Sequence, residues 1–228
     1  MNVLELFSGT GSVSKVCKQI GWETLSVDID GRADINCDIL EWDYKKYPQD
    51  SFDVIWASPP CASFSHLQHS WIGRKRNGKI FTKEQIEEDM ETIGDPLVKK
   101  ALEIIDYFKP QYWFMENPDT GRLKNRPFMK DIPFYIVDYC MYSDWGYRKR
   151  TRIWTNKKDW KPLICDGKGN CGNMIGSLHK TNLGNTERIK KAEEGLKHKD
   201  EVSGLKKRHS LDDRYRIPPD LIFSLFLE

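Results

Sequence analysis

The residue best placed to do chemistry in this chain is Cys61, in the stretch Ala57-Ser58-Pro59-Pro60-Cys61-Ala62-Ser63-Phe64-Ser65. A thiol is a nucleophile only as an accessible thiolate, so its setting matters more than its identity. The strand-like run Phe52-Asp53-Val54-Ile55-Trp56-Ala57 ends abruptly in a double proline. Proline fixes its own φ and cannot donate to a sheet ladder, so the strand must stop and Cys61 follows on a stiff turn. In an open parallel α/β sheet the carboxyl edge of the strands is where ligands bind. An isolated cysteine is most often a small buried hydrophobe, so the rest of the chain decides how Cys61 is read.

The elements that must position it begin at the N-terminus. Val3-Leu4-Glu5-Leu6-Phe7 reads as a strand, then Ser8-Gly9-Thr10-Gly11-Ser12 as a turn, then residues 13–20 as an amphipathic helix. Strand, glycine turn and helix open a nucleotide-type α/β fold. Ser14 stands where a dinucleotide fingerprint has its third glycine, and the Lys-Ser/Thr ending of a phosphate loop is absent. The shorter Phe-x-Gly-x-Gly turn suits the amino acid end of a ligand such as S-adenosylmethionine. The next strand, Thr24 to Val27, ends in Asp28-Ile29-Asp30. Asp28 lies where such folds place an acid for ribose hydroxyls, and spacing alone equally allows a surface aspartate at a strand end. Ile35 to Leu40 puts Asp38 after a third short element, within reach of an adenine amino group.

A chain of 228 residues with 39% hydrophobic and 12% aromatic content has enough apolar material for one domain, or one domain with a small appendage. No run of about 18 apolar residues is present, so no membrane contact is expected. The start, Met1-Asn2-Val3-Leu4-Glu5, lacks the basic and apolar regions of a secretory signal, which points to a cytoplasmic or nuclear protein. Six cysteines in a chain this long do not make a disulfide framework, and reduced thiols are expected. Residues 157–216 carry 15 Lys/Arg against 9 Asp/Glu, a net +6, whereas residues 1–156 carry 21 against 23. A positive segment on a near-neutral body suits a polyanionic partner.

With Leu6-Phe7-Ser8-Gly9-Thr10-Gly11 before the Pro-Cys-x-x-Phe-Ser stretch and Glu116-Asn117-Pro118 after it, the chain resembles the DNA cytosine-5 methyltransferases. The motifs follow the family's order from Val3 to about Thr155. The resemblance implies an α/β fold, a Rossmann-like S-adenosylmethionine-dependent methyltransferase sheet with helices on both faces, plus a small, mostly irregular recognition segment. It implies a catalytic, cofactor-binding domain at 1–156, a target-recognition segment at 157–210, and a C-terminal helix at 211–228 packing back on the catalytic domain. Cys61 matches the family's nucleophile, and Glu116 the glutamate that engages cytosine at N3. Phe7, Gly9, Thr10, Gly11, Asp28, Ile29, Asp38, Ile39 and Pro59 are the expected contacts of S-adenosylmethionine and of its product, S-adenosylhomocysteine. Arg150 and Arg152 match two catalytic-site arginines, while Arg148 stands where the family has glutamine and is read as a nucleic-acid contact. Alternation puts 148, 150 and 152 on one face of a strand.

The resemblance also implies double-stranded DNA as partner, a target base flipped from the duplex, and a monomer. RNA is one alternative, because one branch of the family acts on tRNA, and a non-catalytic nucleic-acid-binding protein on a methylase fold is another. Residues 62–90 are the expected closing loop, with Ser63, Ser65, His69, Arg74, Lys75 and Arg76 as nucleic-acid contacts. In the remaining third, Cys165-x5-Cys171-x7-His179 lacks both a C-x2-C pair and a clear fourth ligand, so thiols without a metal are expected. Glu187 to Lys199 reads as a charged helix, and the prolines at 218 and 219 as the start of a closing helix. The family's Gly-Asn-x-Val-Pro motif is not recognisable near the C-terminus.

Overall fold

The computed structural model describes residues 1–76, 79–181 and 210–227. The expected helix at 187–199, Gly78 and the side chain of Arg76 lie outside what is described. In chain order the elements begin β1 (Asn2–Leu6), α1 (Ser12–Gln19), β2 (Glu23–Asp28), β3 (Ile35–Asn36), β4 (Val54–Ala57), β5 (Lys75–Arg76) and β6 (Lys79–Ile80). They continue α2 (Lys83–Asp89), α3 (Asp95–Phe108), β7 (Tyr112–Pro118), β8 (Phe134–Asp138) and β9 (Arg150–Thr155). The short elements β10 (Met174–Ile175), β11 (Leu178–His179), α4 (Leu211–Tyr215) and α5 (Pro219–Leu227) complete the chain.

Seven strands form one sheet in the order β3-β2-β1-β4-β7-β9-β8. The five from β3 to β7 pair in parallel, and β9 runs antiparallel to β7. Parallel neighbours need crossover connections, and α1 and α3 supply two of them. Side-chain alternation along β1 assigns the helices to opposite faces. Leu4 and Leu6 join the core cluster of Val98, Ala101, Ile104 and Phe108 from α3. Glu5 points the other way and accepts hydrogen bonds from the Val13 and Ser14 amides at 3.1 and 2.8 Å. Those amides belong to the first turn of α1, where helical N–H groups lack partners within the helix. Burial raises the pKa of Glu5, and the hydrogen bonds from Ser14 and Val13 offset only part of that rise. The expected Rossmann-like α/β sheet with helices on both faces is therefore the fold observed.

One turn of π-helix, Met90–Gly94, carries α2 into α3. The α3 stripe of Val98, Ala101, Ile105 and Phe108 faces inward at three- and four-residue spacing.

The chain divides into two compact units. The first comprises Met1–Tyr135 with Thr151–Lys158, and the second Ile136–Arg150 with Asp159–Glu228. In the second, Leu221, Ile222 and Leu225 of α5 are buried. Trp160 donates its indole N–H to Ser224 Oγ at 3.0 Å, and Tyr147 its hydroxyl to the Asp213 carbonyl at 2.8 Å. These bonds hold the C-terminal helices within that unit. No helix among the described residues is long and apolar enough to cross a membrane.

Candidate active site

Three turns of the first unit meet at one edge of the sheet. Register pairs Leu6 of β1 with Ala57 of β4, and Ala57 with Met115 of β7. Ser58 N–H then donates to the Leu6 carbonyl at 3.1 Å. The glycine turn, the Pro-Cys turn and the Glu-Asn-Pro strand end are thus neighbours, with β1 and β7 about 10 Å apart, twice the strand spacing. Chain order reverses between β1 and β4, which makes this the switch point of an open sheet.

In the glycine turn, Phe7, Gly9 and Gly11 all have positive φ, at 57°, 48° and 65°. For Phe7 the left-handed region costs about 1–2 kcal/mol, and its N–H is held by the Val27 carbonyl at 2.9 Å. Gly9 N–H donates to Asp28 Oδ2 at 2.8 Å, and Asp30 N–H to Asp28 Oδ1 at 2.8 Å. Asp28 therefore clamps the glycine turn to the end of β2. A Cβ at Gly9 or Gly11 would meet nothing within 4 Å, so backbone φ demands glycine and the space beside the turn is open. Ile29 is 74% exposed beside Asp28, whereas Ile39 is buried in the core. Asp38 is exposed, and its Oδ1 accepts the Leu40 amide at 2.9 Å. Thr10 and Gly11 are half-buried, and Pro59 is buried. Two carboxylates at neighbouring strand ends, an exposed aliphatic side chain and an open glycine turn fit a nucleoside bearing an amino acid arm.

The Pro-Cys turn is held from several sides. Cys61 is half-buried, and its carbonyl accepts the Phe64 amide at 3.1 Å. The Phe64 ring is fully buried, and its carbonyl accepts from Arg122 N–H at 2.8 Å. Trp56 Nε1 donates to Ser58 Oγ at 2.8 Å. Most telling is Asn117, which is fully buried and donates Nδ2–H to the Pro59 carbonyl at 2.8 Å. It lies next to Glu116, itself 6% exposed, and so ties the Glu-Asn-Pro strand end to the turn carrying Cys61. Asn117→Ala leaves the buried Pro59 carbonyl without its donor, which costs about 1–3 kcal/mol. A lower unfolding midpoint in denaturant and a reduced turnover number are expected, and wild-type values for both would refute the tie.

The described residues of 62–90 fold into separate short elements. Ser65 caps a 3-10 turn at His66–Trp71, accepting the Leu67 amide at 3.2 Å. The ribbon of β5 and β6 follows, then α2. Among the expected nucleic-acid contacts, Arg74 and Lys75 are exposed, and Ser63 and Ser65 are half-buried. His69 Nε2 lies 3.5 Å from Arg122, whose guanidinium also pairs with Glu87. That hydrogen bond lowers the pKa of Glu87.

The three arginines part company. Arg152, in the first unit, stacks 3.7 Å over the Phe134 ring and pairs with Asp119 at 2.9 Å. Arg150 and Arg148, in the second unit, both bind Asp138, at 2.8 and 3.0 Å. Only 150 and 152 lie in β9. Burial pushes the Asp138 carboxyl up, but hydrogen bonds from Arg150 and Arg148 outweigh it, and the net pKa is lowered. Neither Asp119 nor Asp138 stands out in the sequence, since an acid at a strand end has many ordinary uses.

The sheet order and the turns at its carboxyl edge are those of a Rossmann-like open α/β fold. Residues 1–126 match the model of the family C-5 cytosine-specific DNA methylase. A protein of Frog virus 3 (isolate Goorha) named "Probable DNA (cytosine-5)-methyltransferase" is 45% identical over 228 residues, covering 99% of this chain and 98% of that protein. The chain therefore belongs to the C-5 cytosine-specific DNA methylase family. Among solved structures, the Entamoeba histolytica methyltransferase EhMeth aligns over 72% of this chain and 55% of its own, at 16% identity and TM-score 0.48. The S. pombe Dnmt2 methyltransferase aligns over 72% and 52%, at 13% identity and TM-score 0.43. The chain spans about half the length of these solved proteins.

Proposed function

We propose that the protein methylates cytosine at C5 in double-stranded DNA through a covalent bond between Cys61 and C6. The observation that carries this reading is the Asn117–Pro59 hydrogen bond, which fastens the Glu116 strand end to the Cys61 turn. Phe7, Gly9, Thr10, Gly11, Asp28, Ile29, Asp38, Ile39 and Pro59 would hold S-adenosylmethionine. Bound there, it would supply a methyl group on a positively charged sulfur, whose S–CH3 bond breaks to leave the neutral thioether S-adenosylhomocysteine.

Cytosine C6 is electrophilic only when N3 is protonated or strongly hydrogen-bonded, and Glu116 holds the proton at that atom. The Cys61 thiolate adds to C6, and the electron pair gained by the ring makes C5 nucleophilic. C5 takes the methyl group, a base removes the C5 proton, and the pair left behind expels Cys61. The thiolate is thus regenerated. Because C5 and C6 are inaccessible within a stacked duplex, the target nucleotide is flipped out, at a cost of a few kcal/mol. Exposed Arg74 and Lys75 suit phosphates beside it. Arg152, paired with Asp119, supports the Glu-Asn-Pro end, since Asn117 faces it across β7 and β9.

Incubation of the full chain with methyl-labelled S-adenosylmethionine and either duplex DNA or tRNA tests the reading. Label recovered as 5-methylcytosine in DNA is expected. Label in tRNA alone would move the substrate to RNA, and label in neither would overturn the activity.

A further inference from the structure

We propose that the second unit carries a structural zinc site made by Cys140, Cys165, Cys171 and His179. This goes beyond methyl transfer and does not depend on it. The sequence offers three of these residues and no evident fourth, and the fold supplies Cys140 from just beyond β8. One ligand atom from each of the four lies within 4.8 Å of all the others. Cys165 Sγ is 3.5 Å and Cys171 Sγ 3.6 Å from His179 Nε2. Tetrahedral zinc, with Zn–S about 2.3 Å and Zn–N about 2.0–2.1 Å, requires sulfur and nitrogen ligands about 3.5–3.6 Å apart. Ordinary packing would not converge three thiols and an imidazole nitrogen within 4.8 Å of one another.

The surroundings suit a metal knot. Cys140 and Cys165 are 1% and 3% exposed, and four protein ligands leave no open position, which is the structural rather than the catalytic pattern. The Gly167 amide lies 3.4 Å from Cys165 Sγ as a hydrogen-bond donor, and such contacts offset charge on a thiolate. Asn173, 4% exposed, donates Nδ2–H to the carbonyls of Cys140, Ser143 and Cys171 at 2.8, 2.8 and 3.1 Å. It thereby fixes the two loops that bring Cys140 and Cys171 together. β10 and β11 pair Met174 with His179, which returns the histidine to the cysteine loop.

The segment also needs such a knot. Among the described side chains of residues 159–181, the buried ones are Trp160, Cys165 and Asn173. So little apolar burial cannot offset the entropy of ordering the segment. Zinc binding is folding free energy for a segment of this kind. On binding, the three thiols lose their protons to solvent, and Zn²⁺ with three thiolates and a neutral imidazole carries a net charge of −1. No electron is transferred.

The test is metal analysis of the full chain, purified under reducing conditions from zinc-supplemented cells. About one zinc per chain is expected, with cobalt(II) in its place giving the intense visible bands and thiolate charge transfer of a tetrahedral site. Cys171→Ser and His179→Ala should weaken zinc binding by roughly 10- to 100-fold or more. His179→Cys, which keeps four ligands, should retain it, and Cys37→Ser should be without effect. Cys37→Ser guards against general thiol binding, and His179→Cys against loss through misfolding. Wild-type protein with far less than one zinc, an octahedral cobalt spectrum, or a disulfide joining two of the three cysteines in freshly reduced protein would overturn the site.

Discussion

Cys61→Ser is expected to abolish methyl transfer, lowering the single-turnover rate by about 10⁴-fold or more. A serine hydroxyl at neutral pH is far less nucleophilic than a thiol, which already supplies a few per cent thiolate. Without addition at C6, C5 gains no electron pair and cannot take a methyl group, however well it is aligned. The loss should fall on chemistry alone. The glycine turn is held by bonds that do not involve Cys61, from Gly9 to Asp28 and from Phe7 to Val27. Equilibrium binding of S-adenosylmethionine should therefore stay within about twofold of wild type. Duplex DNA containing 5-fluorocytosine supplies the second readout, because fluorine at C5 cannot be removed as a proton and the adduct is trapped. Wild-type protein should yield a denaturation-resistant complex mapping to Cys61, and Cys61→Ser none. A variant retaining a rate within tenfold of wild type would remove the covalent route.

What the sequence revealed depended on how local the causes were. The Pro59-Pro60 stop and the glycine turn rest on φ restrictions acting within a few residues, and both appear where expected, after β4 and β1. The ordering of glycine turn, Pro-Cys turn and Glu-Asn-Pro end was equally legible, because each motif is contiguous. Helix α3 was not, since the π turn at Met90–Gly94 interrupts the helical period just before Asp95-Pro96. In the sequence Asn117 is only the middle residue of a motif. Its bond to Pro59 spans 58 residues and emerges only when β4 and β7 lie side by side. Cys140 was hidden for the same reason. It stands 25 residues before Cys165, with a strand and several turns between, and no spacing rule joins them. Arg148 and Arg150 looked like one face of a strand with Arg152, yet their shared partner is a carboxylate at the end of a different strand.

That carboxylate, Asp138, carries the largest stability effect expected in the second unit. Its side chain is fully buried, while Arg148 and Arg150 are each 35% exposed. Oδ1 accepts from Nε of both arginines at 3.0 Å. Oδ2 accepts from Arg150 Nη2 at 2.8 Å and from the Cys165 amide at 3.0 Å. Every neighbour is a donor. Asp138→Asn keeps the shape but must turn its NH₂ toward one of these pairs, setting donor against donor. A loss on the order of 3 kcal/mol is expected, from the broken ion pairs and the unsatisfied groups left behind. The sign of the pH dependence follows from the lowered pKa of Asp138. A carboxylate with a folded pKa below its unfolded value near 3.9 stabilises fully above that value and loses its contribution as pH falls through the folded pKa. Wild-type protein should therefore lose stability below about pH 4 more steeply than Asp138→Asn, and the gap between them should narrow as acid is added. Denaturant unfolding followed by tryptophan fluorescence, repeated across that range, measures both. Because Oδ2 also holds the Cys165 amide, the variant should release zinc more readily as well. A variant as stable as wild type at neutral pH would mean that the arginines, rather than the buried acid, set the geometry here.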